Sequence, residues 1–201
     1  NAFAVQAGLA IERARLSDDR DRALRELTGL LGATAAMQGS QPLSEILQKI
    51  LEGAVNGLQL ERAILFLHDS AHGILRGEQE VTRASGQGGS GSALVAGLEI
   101  PIGDPDELLS AAVLGRRPFA TLEGGGESQL RVHPALSALL GSGEFVAAPL
   151  LARDRVAGLL LVGGFHEPRP IRERMHLLMA YGAQAGLALE RALRHKGLLR
   201  A

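Results

Sequence analysis

The first 38 residues show two successive helical patterns. Small or apolar residues recur at alternating steps of three and four, the spacing of a narrow stripe along one helix face. A charged cluster at 18–22 separates the patterns, and Gly39 and Pro42 end the second one. The segment therefore predicts one long helix or two shorter ones. The stripe residues are Ala4, Ala7, Ile11, Ala23, Leu27 and Leu30.

The pattern then changes from helical to extended. A helix with a broad apolar face is expected from position 40 to about 55, and it should pack on a sheet. After it, a buried strand at 63–67, a turn at 68–73 and a more polar strand at 74–83 predict a hairpin. The glycine-rich residues 85–92 predict a flexible loop.

The second half of the chain predicts short elements followed by long ones. A strand at 98–102, a helix ending at Gly115, a short strand at 118–122 and a short helix at 134–140 come first. Helices that frame a mostly antiparallel sheet are the α+β pattern, which is the fold class expected here. The last elements are two buried strands at 145–151 and 156–162 and a helix from about 170 to 194.

Residues 2–14 return at 180–192 with nine of thirteen positions identical. Around the second copy the small or apolar stripe is formed by Leu178, Gly182, Ala185 and Leu189. Glycine and alanine in such a stripe let a second backbone come close. A terminal helix lying on its own domain explains the second copy alone, whereas helices that link the units of a longer array account for both, and the narrow stripe lets such helices pair. The repeat therefore predicts a homodimer formed through the terminal helices.

The amino-acid composition excludes several classes of function for this chain. Of 201 residues, 46% are hydrophobic and the formal net charge is -1, so nothing favours nucleic acid or an anionic membrane as a partner. The absence of cysteine excludes disulfides, thiolate nucleophiles, zinc-thiolate sites and thioether attachment of a chromophore. No apolar run reaches 18 residues, which predicts no membrane span within the segment and favours a cytoplasmic location.

The C-terminal quarter resembles part of a known family. It combines a strand with Ala148-Pro149-Leu150, a polar turn, the strand Val-Ala-Gly-Leu-Leu-Leu-Val at 156–162 and the helix ending Ala-Gln-Ala-Gly-Leu-Ala-Leu-Glu-Arg-Ala at 183–192. This combination is similar to the carboxy-terminal half of a GAF domain, and the order of elements extends the resemblance over 40–195. It implies a GAF/PAS-like fold: a central antiparallel sheet of five or six strands, long terminal helices on one face, and short helices over a small-molecule pocket on the other.

The resemblance also implies an arrangement of domains. GAF domains commonly occur in tandem, so 1–16 is expected to be the exit helix of a preceding GAF domain and 17–39 a connector helix. Residues 40–195 are then the GAF domain, and 196–201 begin a downstream linker. The family implies a non-catalytic sensory and dimerising module of a bacterial signalling protein, most often a sensor histidine kinase. The alternative is a ligand-free structural spacer between signalling modules.

A ligand pocket is expected in the region from Leu94 to Leu140, which varies most within the family. Its larger aromatic and polar groups are Arg116, Phe119, Arg131 and His133. Arginine can bind a carboxylate or phosphate, phenylalanine can cover a ring, and histidine can donate a hydrogen bond or ligate a metal. The alternative is that the phenylalanine belongs to the core and the other three are solvated.

No particular cofactor is evident from the sequence. Haem-binding relatives need a proximal histidine, for which His133 is the candidate. The residue pattern of cyclic-nucleotide-binding relatives is missing, so cGMP and cAMP are not expected. One GAF branch reduces free methionine sulfoxide, and that chemistry needs cysteine thiolates, which this chain lacks.

Two local motifs have competing interpretations. Residues 86–91 match G-x-G-x-x-G, but the preceding strand is polar and the following helix would be very short, so a loop is favoured over a dinucleotide site. His68, Asp69 and His72 could approach an ion at the tip of a hairpin, but no fourth ligand is suggested. Solvated turn residues are the favoured interpretation, and no metal site is expected.

Overall fold

The computed structural model describes residues 42–83, 95–121, 130–140, 144–165, 171–195 and 197. The helices predicted within 1–39, the glycine-rich loop at 85–92 and the linker at 196–201 fall largely or wholly outside these ranges, so the division into domains stays a prediction. Within the described ranges, every predicted strand and helix is present, with ends that differ by a few residues.

Six strands form one antiparallel sheet in the order β3-β2-β1-β6-β5-β4. The predicted α+β fold with a five- or six-stranded antiparallel sheet is therefore confirmed. The two central strands, β1 and β6, pair with each other, and the short strands β3 and β4 form the edges. The strands are β1 (Leu60–Asp69), β2 (Ile74–Thr82), β3 (Glu99–Pro101), β4 (Phe119–Ala120), β5 (Phe145–Ala152) and β6 (Arg155–Phe165).

Helices cover both faces of the sheet. The long helices α1 (Leu43–Gly57) and α4 (Ile171–His195) pack on one face, which we call the long-helix face. The short helices α2 (Leu108–Gly115) and α3 (Pro134–Leu140) pack on the other, the short-helix face. No helix in the described part of the chain is long and apolar enough to cross a membrane.

Two separate apolar cores result from the alternation of side chains along each strand. In β1, Leu65 points to the long-helix face, whereas Ile64 and Phe66 point to the short-helix face, and all three are fully buried. Because both faces are covered, the middle of β1 and most of β5 and β6 are nearly continuous apolar runs rather than alternating ones. Gly158 in β6 shows the close backbone approach expected from the sequence, since a Cβ there would lie 2.5 Å from the carbonyl oxygen of Phe66.

Candidate functional site

The short-helix face is the predicted ligand-binding side, and apolar side chains fill it. Phe66 of β1, Ala147 of β5 and Leu159 of β6 form part of its floor and have no exposed surface. Leu108 of α2 and Leu136 of α3 cover that floor and are equally buried. Among the described residues, the middle of this face is thus a packed apolar core, with charged side chains at its margins.

Arg116 and Phe119, two of the four predicted pocket residues, lie where α2 ends. Arg116 follows the helix with a left-handed backbone (φ 51°), and its side chain is exposed. Phe119 is half-buried in the edge strand β4, opposite Ala147 of β5. The guanidinium of Arg117 lies 3.9 Å from the centre of the Phe119 ring, a cation-π contact that sequence reasoning did not predict.

The other two predicted pocket residues, Arg131 and His133, lie in the segment that leads into α3 and make contacts there. Arg131 forms an exposed ion pair with Asp104, and its backbone carbonyl accepts the N–H of Leu108 at the start of α2. The Nδ1 of His133 accepts the N–H of Ala135, 3.3 Å away, in the first turn of α3. Phe119, Arg131 and His133 therefore each have a local partner, whereas Arg116 is exposed, and the grouping of the four into one ligand site stays a prediction.

A charged pair on the short-helix face was missed by sequence reasoning. The Nε of Arg62 lies 2.9 Å from a carboxylate oxygen of Glu80, whose side chain is only 10% exposed. Strand alternation places Arg62 on the same side as Ile64, and Glu80 is the register partner of Ile64. Counting alternate positions back from the buried strand at 63–67 could have found this pair at the margin of the apolar floor.

The stripe predicted on α4 for a partner helix faces the protein's own sheet instead. Leu178, Ala185 and Leu189 are at most 3% exposed and belong to the core of the long-helix face. A Cβ on Gly182 would lie 2.6 Å from the carbonyl oxygen of Pro149 in β5. The small residues thus bring α4 close to a strand, so these four positions cannot contact a second helix. Their assignment to the dimer contact is corrected accordingly.

Two polar residues fix α4 further. The hydroxyl of Tyr181, buried between the long helices, donates to the carbonyl oxygen of Ile50 in α1, and burial raises the pKa of this hydroxyl. Glu190, only 6% exposed, accepts a hydrogen bond of 2.7 Å from Arg194 and lies 3.9 Å from the Nε of Arg155 at the start of β6. Helix α4 is thereby linked to α1 and to the β5–β6 hairpin.

The hairpin between β1 and β2 is a solvated turn, as favoured from the sequence. Asp69 accepts backbone N–H groups from Ala71 and His72, each at 3.2 Å, and its other oxygen lies 2.9 Å from the His72 ring. That hydrogen bond holds the pKa of Asp69 below its ordinary value. The His68 ring instead donates to the carbonyl of Val156, 2.9 Å away. Within the described ranges, no three potential ligands are grouped to hold a metal ion.

Comparison with known proteins adds a family match. A family model described as GAF domain matches residues 42–189, which is more than two thirds of the chain. No curated protein matches the sequence.

Several solved structures are similar in fold. The GAF domain of a phosphoenolpyruvate-protein phosphotransferase (ptsP) from Coxiella burnetii has a TM-score of 0.61 at 15% identity, covering 91% of this chain and 99% of that one. The A. aeolicus nlh2 GAF domain in an inactive state has a TM-score of 0.60 at 14% identity, covering 88% and 98%.

An enzyme is also among the similar structures. The free methionine-R-sulfoxide reductase from Neisseria meningitidis, in complex with its substrate, has a TM-score of 0.58 at 13% identity, covering 85% of this chain and 90% of that one. At these identities the likeness concerns the fold alone, because one fold carries many functions.

Proposed function

This chain belongs to the GAF domain family, and we propose on that premise that it acts as the sensory module of a bacterial signalling protein. GAF domains are regulatory and sensory modules, generally non-catalytic, and some occur in signalling proteins. In the proposal, a small molecule binds at the margin of the short-helix face, near Arg116, Phe119, Arg131 and His133. Its binding alters the position of α4, which leads out of the domain.

One observation carries the proposal: strand β5 contacts α4 on one side and the short-helix core on the other. Phe145 and Ala147 of β5 point to the short-helix face, and Ala147 is paired with Phe119 of β4. On the opposite side, α4 approaches the β5 carbonyl oxygens of Pro149 and Leu151 so closely that only glycine fits. Because no side chain separates these backbones, a displacement of β5 is transmitted directly to the helix.

The energetic requirement is modest. A ligand shifts the position of α4 only if it binds one arrangement of the domain more tightly than the other. Coupling free energies of this kind are typically about 1–3 kcal/mol, or about 5- to 150-fold in affinity. Repacking of a few buried contacts at β5 is enough to supply a difference of that size.

Tyr181 makes the proposal testable without a label. The chain has one tyrosine and no tryptophan, so its intrinsic fluorescence reports on the contact between α1 and α4. We expect some compound in a panel of small carboxylates, phosphates and aromatic metabolites to change this emission. Substitution of Arg116 or Arg131 by alanine should then weaken the response, whereas Arg153→Ala, in the exposed β5–β6 turn, should not. A binder that leaves the emission unchanged would contradict transmission to α4.

A second candidate function, the ligand-free spacer, has an observation in its favour. The middle of the short-helix face is filled by side chains with no exposed surface. In that case the domain transmits forces between neighbouring modules and binds nothing. Native mass spectrometry of the purified protein distinguishes the two, because a bound ligand adds mass and a haem adds a visible absorption band. Failure of every compound in the panel to bind would favour the spacer.

The proposal includes a tandem arrangement of GAF domains and places it within a cytoplasmic histidine kinase. Residues 2–14 repeat not only the apolar pattern of 180–192 but also Gly186 and Glu190, as Gly8 and Glu12. In α4, Gly186 lies against a strand carbonyl oxygen, and Glu190 contacts Arg155 of the β5–β6 hairpin and Arg194 of α4 itself. Their recurrence supports 1–16 as the exit helix of a preceding GAF domain, which would provide an equivalent strand and hairpin.

A further inference from the structure

Four arginines lie where helix α4 passes the turn between β5 and β6. This turn consists of the residues 153–154, and Gly186 of α4 lies against the carbonyl oxygen of Leu151, just before it. The last two turns of the helix therefore lie beside the hairpin turn. All four side chains are exposed, and we call them the arginine cluster: Arg153, Arg155, Arg191 and Arg194.

Two of these arginines share one carboxylate. A single oxygen of Glu190 lies 2.7 Å from a guanidinium nitrogen of Arg194 and 3.9 Å from the Nε of Arg155. The shorter contact is a hydrogen bond, whereas the longer one exceeds the length of a hydrogen bond. The guanidinium of Arg155 therefore keeps N–H donors for a further carboxylate.

The other two arginines have no carboxylate of their own. Arg153 and Arg191 form no ion pair with any residue that the structure describes. The four arginines stand against two acidic residues, Asp154 and Glu190, which leaves a net charge of +2 on a chain whose formal net charge is -1. The arginine cluster is thus a basic surface that the described part of the domain does not neutralise.

Arg153 has a backbone conformation that favours glycine. Its φ of 53° lies in the left-handed region, at the first of the two turn residues. Glycine adopts this region without steric cost, whereas the Cβ of arginine is crowded there. Folding alone would therefore favour glycine at position 153. Backbone strain of this kind occurs at functional positions, and here it accompanies an exposed guanidinium that has no ion pair among the described residues.

The dipole of α4 explains only part of the arginine cluster. A cation in the last turns of a helix interacts favourably with the negative end of the dipole, which accounts for Arg191 and Arg194. It does not account for Arg153, whose strained backbone lies in the hairpin turn. The cluster is therefore a surface built from two elements, and it is more than the capping of one helix.

The pattern of charges indicates the kind of partner. Positive and negative residues alternate at 153–155, and Glu190 is followed directly by Arg191. Nucleic acids and anionic membranes present one sign of charge throughout, which the acidic residues of this surface would repel. The carboxylates of a protein segment are separate groups, and each can meet one arginine in the bidentate geometry that arginine favours. Arginine is also enriched in protein interfaces.

We propose that the arginine cluster is a docking surface for an acidic segment of a protein partner, one that carries several aspartate or glutamate residues. Arg153 and Arg191 bind its carboxylates directly, and Arg155 binds one without releasing Arg194 from Glu190. The partner then bridges α4 and the β5–β6 hairpin. The inference goes beyond the proposed function, because it requires no small molecule on the short-helix face.

A fluorescein-labelled peptide of alternating glutamate and serine tests this surface in the full chain. Fluorescence anisotropy at low ionic strength should show saturable binding of this peptide and no binding of its counterpart with glutamine in place of glutamate. Arg153→Glu combined with Arg191→Glu should raise the Kd by about tenfold or more, because each reversal replaces an attraction by a repulsion. Absence of saturable binding, or an unchanged Kd in the double variant, would overturn the inference.

A matched control separates the arginine cluster from the overall charge of the chain. Arg117→Glu makes the same change of charge as Arg191→Glu, at an exposed position near the end of α2. We expect Arg191→Glu alone to raise the Kd by about threefold or more and Arg117→Glu to change it by less than about twofold. Equal effects would overturn the inference, and so would tighter binding of phosphatidylserine vesicles or duplex DNA than of the peptide.

A glycine at position 153 gives a readout that a purely structural arginine would not. Arg153→Gly should keep or raise the midpoint of urea denaturation, because it relieves the strained backbone. The same variant should weaken binding of the glutamate peptide by about threefold or more, since it removes one guanidinium. Peptide binding as tight as that of the natural chain would overturn the inference.

Discussion

Gly186 of α4 lies against the carbonyl oxygen of Leu151 in β5, so closely that a Cβ at position 186 would come within 2.2 Å of that oxygen. Real Cβ atoms do not approach a backbone oxygen to this distance. The helix and the strand are therefore in direct backbone contact, and this contact sets how far α4 stands from the sheet.

Gly186→Ala should lower the free energy of unfolding by about 1–3 kcal/mol, the usual cost of overpacking a close contact. Alanine is favoured over glycine in a helix by about 0.5–1 kcal/mol, so without the Leu151 contact the substitution would stabilise the protein. The sign of the change, measured by urea denaturation, thus decides whether the contact exists. Gly103→Ala is the control, because nothing lies within 4 Å of a Cβ there, and it should be neutral or slightly stabilising.

The raised pKa of the Tyr181 hydroxyl predicts how the free energy of unfolding changes at alkaline pH. Burial raises its pKa above the ordinary 10.0, so the folded state keeps the proton where the unfolded state loses it. The free energy of unfolding should therefore be constant with respect to this group below pH 10 and fall as the pH rises above it. As the pH rises, the absorbance of ionised Tyr181 should appear over the same pH range as unfolding. Tyr181→Phe should lose about 1 kcal/mol at neutral pH and show less of the alkaline decline. Ionisation of Tyr181 in the folded protein near pH 10 would argue against its burial.

Glu190 links α4 to the β5–β6 hairpin through charge-assisted contacts. Glu190→Gln should lower the free energy of unfolding by about 1–2 kcal/mol, toward the lower part of the range for charged hydrogen bonds, because Arg194 and Arg155 remain hydrated at the surface. Glu99→Gln removes an exposed partner of Arg76 and should change stability by less than about 1 kcal/mol. If chemical denaturation gives equal losses for the two variants, Glu190 does not hold the helix.

Asp69 and His72 give a prediction at acidic pH. The hydrogen bond from His72 is the largest cause of the lowered pKa of Asp69, so His72→Ala should raise that pKa toward its ordinary 3.8. Because the folded pKa is depressed, this pair contributes stability above pH 3.8 and loses it as the pH falls below that value. An NMR titration of the Asp69 carboxyl group measures the shift directly. The control His176→Ala, an exposed position on α4, should leave the pKa of Asp69 unchanged.

The helices and strands could be predicted from the sequence because their apolar residues recur in strongly periodic patterns. The run at 63–67 and the strands after Phe145 are buried on both faces, and the turn at 68–73 has the polar residues that turns need. The periodicity does not show which surface an apolar stripe packs against, a partner helix or the protein's own sheet. Small residues at Gly182 and Ala185 suit a partner helix and a sheet strand equally well. The structure resolves the choice because β5 passes directly beneath them.

The candidate ligand site could be predicted less well, for a related reason. Residue type suggested Arg131 and His133. The ion pair of Arg131 with Asp104 depends on how two segments distant in sequence fold together, whereas His133 accepts the N–H of Ala135 only two residues away. The pair of Arg62 and Glu80 was missed because Glu80 lies in a strand that appeared exposed from its composition. The alternation of positions along β1 and the register of the β1–β2 hairpin place Glu80 beside Arg62 at the margin of the short-helix face.

The central claim, that β5 couples the short-helix face to α4, is tested most directly by amide hydrogen exchange in a matched pair of variants. Phe145→Leu and Phe66→Leu make the same truncation on the same face, the first on β5 beneath α4 and the second on β1 beneath α1. Phe66 is the more deeply buried, so general destabilisation should favour the larger effect there. The account predicts that exchange at residues 178–189 increases more in Phe145→Leu. An equal or larger increase in Phe66→Leu would contradict it.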